Sequence, residues 1–391
     1  MQFLEDQRIE KLREKFLTYS AEFGKCLVDG IVQVSVNPCK DAEFKFNMML
    51  LSIVNFIIVS YFRSSGSLLV SITLYLLLFF NLALKSRWLD PSGKVIFITN
   101  VDSGYGQELA KYLINRGAKV IAGASDPMAS SLLQLREDGV YLIKFDISSD
   151  EKLNESMMRL RLRLSTWSKD LHGVVVNSGV DAFGDFEWSG VKYLKKITEI
   201  NVWQIAELVK DLLELVRPQK SPCRIAFHSN HLVDLPEPGN LPLTLSKSAL
   251  RCLVTALQSE NRNSNVFFSS IYPGVFCYNN PCILSLENRD ALQKNIMNQM
   301  SPQTKKILKS IYLEKRIQYC TSRFEGFNSL EPVLDYYFDA LFSLEPELEY
   351  FPVDFQTRAH IWLRKICPSL SNKILNRNAL KLLNYKKKKL Q

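Results

Sequence analysis

The sequence predicts an α/β protein: a doubly wound parallel-sheet Rossmann fold preceded by an N-terminal membrane anchor. Three observations carry this expectation. From Gly93 onward, short β-branched runs alternate with amphipathic helical patterns, as a parallel sheet covered on both faces reads. A glycine-containing turn follows the first of those runs, and two apolar stretches, Asn47 to Phe62 and Ser67 to Leu84, stand ahead of it.

The first βα unit is expected as a strand over Lys94 to Thr99 and a helix from Gly106 to Asn115, closed by Gly117. Lys119 to Ala124 reads as the second strand, Tyr141 to Phe145 as the third and Gly173 to Val176 as the fourth. A long helix is expected over Asn201 to Val216, then the strand Arg224 to Phe227. A helix over Ser246 to Glu260 and the strand Asn265 to Ile271 lead into Pro273 and Gly274.

With 391 residues and 47% hydrophobic content, the chain can bury a large core. Its formal charge of +9 is spread along the chain with no basic-aromatic module, so a membrane surface is a better expected partner than nucleic acid. The eight cysteines show no CxxC pair, which points to reduced thiols and gives no metal site or disulfide framework.

Residues 1–46 form a polar, amphipathic segment with Phe3, Leu4, Ile9, Leu12 and Phe16, unlike a secretory leader. Residues 47–85 are expected to anchor the chain as one or two hydrophobic segments split at Arg63 to Gly66. Each stretch is near the lower limit of roughly 17 to 25 residues needed to cross a bilayer. Lys40 and Lys45 before the pair, and Lys85 and Arg87 after it, would leave both termini cytosolic. The tail places Lys388 and Lys389 where they resemble a dilysine retrieval signal of endoplasmic-reticulum membrane proteins; a basic tail leaning on anionic lipid is the plainer reading.

The chemistry lies in the loops. The turn Thr99, Asn100, Val101, Asp102, Ser103, Gly104, Tyr105, Gly106 brings backbone and a helix N-terminus to where a pyrophosphate would sit. It resembles the TGxxxGxG mark of the short-chain dehydrogenase/reductase superfamily, and most of all the TGCDSGFG of its retinol, hydroxysteroid and 3-hydroxybutyrate dehydrogenase branch. Asn100 replaces the first glycine, and asparagine tolerates a left-handed backbone best after glycine.

The resemblance covers roughly residues 93 to 370 and implies NAD or NADP as cofactor. By that resemblance Asp146 and Ile147 border the adenine, and Asn177 and Gly179 stand in the NNAG stretch. Asn201 belongs to the catalytic frame, and Pro273 and Gly274 cover the nicotinamide. The second strand ends in Ala122, Gly123, Ala124, Ser125, with no acid for a ribose and no Arg for a 2′-phosphate, so NAD against NADP stays open.

In the family a Tyr-x-x-x-Lys pair and an upstream Ser carry proton transfer. Here Ser246 and Lys247 match the family's SK, which puts Leu243 at the tyrosine and Asn230 at the serine. Leucine has no proton to give. Ser229 is the neighbouring hydroxyl, and His228 and His231 are either solvated loop residues or substitute donors, His231 foremost.

Two functions follow. One is a membrane-bound dehydrogenase-like protein acting on a lipophilic alcohol or ketone. The other is an inactive pseudoenzyme that scaffolds or binds dinucleotide or lipid. The resemblance also implies a homodimer through the two long helices. The expected division is residues 1–46, 47–85, a Rossmann domain over 92–330, and a membrane-proximal C-terminal extension over 331–391, rich in aromatics and cations.

Overall fold

A computed structural model describes residues 40, 43–51, 88–102, 104–167, 169–187, 189–274, 300, 302–303 and 329–374. The chain divides into two compact units, one of Met1–Asp90 with Phe342–Glu345, the other of Pro91–Leu341 with Pro346–Gln391. In the first, residues 43–51 are helical with Phe46 buried, and Trp88 bridges antiparallel to Ser343. Among the described residues no helix is long and apolar enough to cross a membrane. Most of the expected anchor, the N-terminal amphipathic run and the lysine tail lie outside the described residues.

The second unit is built on a seven-stranded sheet of order β3-β2-β1-β4-β5-β6-β7, every pair parallel. Its strands are β1 Val95–Ile98, β2 Lys119–Ala124, β3 Tyr141–Lys144, β4 Leu171–Val176, β5 Cys223–His228, β6 Val266–Ile271 and β7 Glu349–Tyr350. The helices are α1 Gly104–Asn115, α2 Leu133–Glu137, α3 Asp150–Trp167, α4 Val191–Thr198, α5 Gln204–Val216, α6 Leu241–Glu260, α7 Glu331–Phe342 and α8 Phe355–Ile366. The doubly wound Rossmann-like fold expected from the alternating pattern is present. Chain connections leave β1 in opposite directions across the sheet, and ligands of such folds sit at the strand ends beside that switch.

Both faces of the sheet are covered, which is why β1 is apolar throughout and β4, apart from His172, is likewise an apolar, fully buried run. On one face Leu153, Met157 and Leu160 of α3, Ile205, Leu208 and Leu212 of α5, and Leu250 and Val254 of α6 pack on Phe97, Ile121, Val174 and Ile225. Each large apolar side chain so buried contributes about 1.5–3 kcal/mol. On the other face α1 and α7 are joined by the hydrogen bond of Tyr112 to Asp335, and Arg116 lies over the Tyr112 ring at 3.5 Å. His172, in β4, donates through Nε2 to the Leu341 carbonyl of α7 at 2.9 Å.

Several boundaries differ from the sequence reading. α6 begins at Leu241, well before Ser246, because Pro242 occupies the first turn, where its missing N–H costs nothing. Asn201 stands in one turn of π-helix, Glu199–Trp203, ahead of α5. β4 starts at Leu171 and β6 at Val266. The sheet also does not end at residue 330: β7 adds a strand from the segment expected to be a membrane-proximal extension, and Tyr350 is buried in it. Arg251 of α6 fastens this edge, its Nε and Nη2 donating to Glu349 at 2.8 and 2.9 Å and its Nη1 to Asp234 at 2.8 Å.

Candidate active site

The turn after β1 is tied down by short polar contacts. Thr99 Oγ1 accepts the amides of Asn177 and Ser178, each at 3.0 Å, and the Ser178 hydroxyl at 2.8 Å. Asn177 Nδ2 donates to the Asn100 carbonyl at 3.1 Å. The ends of β1 and β4 are therefore locked together at the switch point. Asn100 uses its side chain for the turn itself, Oδ1 accepting the Asp102 amide at 2.7 Å.

Gly106 is required by close approach: a Cβ there would lie 2.1 Å from the Asn100 carbonyl oxygen. The first turn of α1 thus presses on the turn, and no acidic residue stands in it to oppose the positive end of the helix dipole. This is a fitting cradle for a pyrophosphate. Ser103 lies outside the described residues.

Asp146 follows β3 and caps its own turn, accepting the Ser148 amide at 2.8 Å and pairing with Lys152 at 2.9 Å; Ile147 packs on the core. Pro273 and Gly274 follow β6. The Gly274 amide donates to the Pro352 carbonyl at 3.0 Å, which links this turn to the segment after β7.

The second half of the site is framed by Asn201. Its Oδ1 accepts the Val180 amide at 2.8 Å, and its Nδ2 donates to the Val180 carbonyl and to Ser246 Oγ, both at 3.0 Å. Gly179, at φ +149°, comes close to the same group: a Cβ there would lie 3.1 Å from Asn201 Oδ1 and 3.5 Å from Lys247 Nζ. Lys247 donates to the His228 carbonyl at 2.9 Å. Burial pulls its pKa down to about 8, against the opposing pull of Asp181. Asn177, Gly179, Asn201 and Lys247 are thus brought to one corner by β4, the π turn and α6.

Leu243, one turn before Lys247, does not present a polar group there. It is buried in an apolar cluster with Ala182, Ile197 and Leu232, against which Tyr193 packs. Asn230 spends its side chain locally, accepting the Leu232 amide at 2.9 Å as the cap of a short 3₁₀ turn. Ser229 is buried, and among the described residues its hydroxyl has no hydrogen-bond partner.

Neither histidine is a solvated loop residue. His231 is buried and donates through Nδ1 to the Pro273 carbonyl at 2.9 Å, so it braces the turn after β6. His228 ends β5, with Tyr105 at 5.1 Å on one side and the parallel ring of Tyr337 at 6.3 Å on the other. Its Nδ1 is hydrogen-bonded with the Tyr337 hydroxyl. Burial, with the Lys247 ammonium beside it, presses its pKa down to about 3, which keeps the ring neutral. Sequence reasoning missed Tyr337, which stands 109 residues beyond His228 with no local pattern to mark it.

A parallel sheet of this order with a phosphate-type turn at its switch point defines the dinucleotide-binding class of doubly wound folds. The short chain dehydrogenase family model matches residues 94–279. The mitochondrial D-beta-hydroxybutyrate dehydrogenase of Mus musculus is 27% identical over 282 residues, covering 70% of this chain and 79% of that protein. The 11-beta-hydroxysteroid dehydrogenase type 2 of Ovis aries is 26% identical over 273 residues, covering 68% and 62%.

Among solved structures, a short chain dehydrogenase/reductase from Burkholderia phymatum in complex with NAD superposes with a TM-score of 0.58 at 20% identity, over 72% of this chain and 96% of that one. A short chain dehydrogenase from Burkholderia cenocepacia in complex with NADP gives 0.53 at 16%, over 73% and 99%. Residues 94–279 thus form a short-chain dehydrogenase/reductase domain, and the similar proteins include hydroxybutyrate and hydroxysteroid dehydrogenases.

Proposed function

We propose that this protein is a membrane-associated, NAD(P)-binding member of the retinol, hydroxysteroid and 3-hydroxybutyrate dehydrogenase branch whose usual proton-transfer residues are gone. It keeps the nucleotide side of the site and works as a nucleotide-dependent binding module more than as an efficient dehydrogenase. The observation that carries this is the contrast within one helix: Lys247 stands beside Gly179 and Asn201, while Leu243 is sealed among Ala182, Ile197 and Leu232.

The Asn100 to Gly106 turn and the N-terminus of α1 would hold the pyrophosphate, Lys247 the nicotinamide ribose, Asp146 and Ile147 the adenine edge, and Pro273 and Gly274 the nicotinamide face. Bound there, the nicotinamide supplies hydride exchange with an alcohol or ketone. Proton exchange at the substrate oxygen would need a titratable group in reach. Leu243 offers none, Asn230 is engaged as a cap, His228 is held neutral, and His231 is committed to Pro273.

A lipophilic small molecule partitioning from the bilayer is the fitting ligand class, with residues 47–85 as the tether and membrane lipid as neighbour. The charge pattern around the tether favours this domain on the cytosolic side, and the resemblance of Lys388 and Lys389 to a dilysine signal favours an endoplasmic-reticulum membrane. An apolar groove between α5 and α6, with Ala206, Val209, Leu213, Leu253 and Leu257 among its lining residues, supports a homodimer through those helices.

Titration of NADH and NADPH into the full chain in detergent, followed by calorimetry, tests this reading. Saturable binding of one nucleotide per chain is expected; no binding of either would leave only a nucleotide-free scaffold.

A further inference from the structure

The segment after β4 is fixed on both sides of Asp181. Val180 is pinned by the Asn201 carboxamide, which takes its amide at 2.8 Å and donates to its carbonyl at 3.0 Å. Ala182 is buried in the apolar cluster with Leu243. A Cβ on Gly179, two residues before, would lie 3.5 Å from Lys247 Nζ. Asp181 therefore stands between the residue that Asn201 holds and the residue that packs with Leu243, and its carboxylate and the Lys247 ammonium act on each other.

Asp181 is exposed, unlike Ala182 and Phe183 beside it, and among the described residues no hydrogen bond occupies its carboxylate. The protein wall around it still desolvates the carboxyl and raises its pKa, against the opposing pull of Lys247. A raised carboxyl is a better proton acceptor than an ordinary one. Of the elements packed on this segment, α6 brings Lys247, and α4 brings Tyr193, whose hydroxyl meets the Phe183 backbone. The 3₁₀ turn brings His231, held by the Pro273 carbonyl, and the π turn brings the neutral Asn201.

We propose that Asp181 performs the proton exchange that Leu243 cannot, and that the residual turnover of a secondary alcohol or ketone by this protein runs through it. In the oxidative direction the alcohol O–H breaks, its proton forms an O–H bond on the Asp181 carboxylate, and the electron pair left on oxygen closes the C=O. The adjacent C–H breaks with it, hydrogen and electron pair leaving as hydride to the oxidised dinucleotide, which is reduced. The carboxyl then releases its proton to water through the exposed side of the residue. Lys247 favours the charged carboxylate and so favours that release.

The inference rests on dinucleotide binding as proposed above, and the two fail differently. The experiment follows NADH formation by the detergent-solubilised full chain from NAD⁺ with D-3-hydroxybutyrate and with a hydroxysteroid, at stepped pH. It compares the wild type with Asp181→Asn, Asp181→Glu and Tyr193→Phe, and each is also titrated with NADH by calorimetry over the same pH range. Asp181→Asn should lower the slow wild-type turnover by about 10²-fold or more. The wild-type rate should fall on the acid side as the carboxylate takes up its proton, above the ordinary carboxylate range, and Asp181→Asn should lose that limb.

Asp181→Glu keeps a carboxylate and should recover part of the turnover with a displaced acid limb; it also serves if Asp181→Asn does not fold. Tyr193→Phe should leave turnover unchanged. Without the Asp181 charge that keeps Lys247 protonated, the alkaline fall of NADH affinity should move about one unit toward lower pH in Asp181→Asn. Turnover and acid limb unchanged in Asp181→Asn would overturn the assignment, as would a wild type that binds NADH and turns over neither substrate. Loss of turnover in Tyr193→Phe would transfer the role to that hydroxyl and equally overturn it. An unmoved pH dependence of NADH affinity would place Asp181 out of reach of Lys247 and contradict the proposal. Absence of NADH binding would remove the dinucleotide site itself and this inference with it.

Discussion

Asn201 donates through Nδ2 to Ser246 Oγ at 3.0 Å and so pins the π turn to the helix that carries both Leu243 and Lys247. π turns of this kind commonly mark functional sites, because the extra residue re-aims a side chain. Asn201 is fully buried and makes three hydrogen bonds, so its loss should be felt as stability. Asn201→Ala is expected to cost about 3 kcal/mol, read as a lower midpoint in urea.

Restoring the family residues should test how competent the rest of the pocket is. In Leu243→Tyr, Asn230→Ser the tyrosine must displace part of the cluster around Ala182 and Leu232, at about 1–3 kcal/mol of stability. Formation of NADH from a hydroxybutyrate, hydroxysteroid or retinol substrate should rise about 10²-fold or more over the parent. A stable variant with no gain would show that more than the proton donor is missing.

With Lys247 as the proposed ribose ligand, nucleotide binding should depend on pH. Its folded pKa of about 8 means the ammonium is lost as pH climbs past that value, so NADH affinity should fall between about pH 7 and 9. The stability sign is opposite. Between about 8 and the ordinary lysine value the unfolded chain holds a proton that the folded chain has released, so stability rises with pH across that window. Lys247→Met should abolish both trends, measured by titration and by urea unfolding at stepped pH.

His172 gives a separate signature at acid pH. Burial, with help from Arg224, lowers its pKa to about 4, although the hydrogen bond to the Leu341 carbonyl pulls the other way. As pH falls from about 6.5 toward 4, the unfolded chain takes up a proton that the folded chain refuses, and stability is lost. His228 shifts in the same direction and adds to the slope. His172→Gln should flatten the acid limb without removing it; an unchanged limb would place the titration elsewhere.

The sheet was legible where its strands are mostly apolar and buried, as in β1, β2 and β4, since burial on both faces accounts for such runs. β7 was not: two residues, Glu349 and Tyr350, carry no period, and they pair with β6 from far along the chain. The start of α6 was hidden by Pro242, which looks like a breaker and instead sits in the first turn.

At the site, motif spacing located Asn177, Gly179, Asn201 and Lys247, and the structure brings these into one corner. Spacing did not show that His231 turns to Pro273, nor that Tyr105 and Tyr337 enclose His228. Those contacts join separate strands and helices, and they arise from packing that no local pattern records. Asp181 was missed for the same reason, since Lys247, which acts on it, comes from α6.

The division between a retained nucleotide side and a closed proton-transfer side is tested most directly by steady-state turnover of the wild-type full chain. The assay would follow NADH formation from NAD⁺ with D-3-hydroxybutyrate, hydroxysteroids and retinol. With Leu243 sealed in its cluster and Asn230 acting as a cap, turnover should stay about 10²-fold to 10⁴-fold below that of a relative carrying the usual tyrosine and serine. Turnover within about 10-fold of such a relative would contradict the division and would require a proton donor other than the residues at positions 230 and 243.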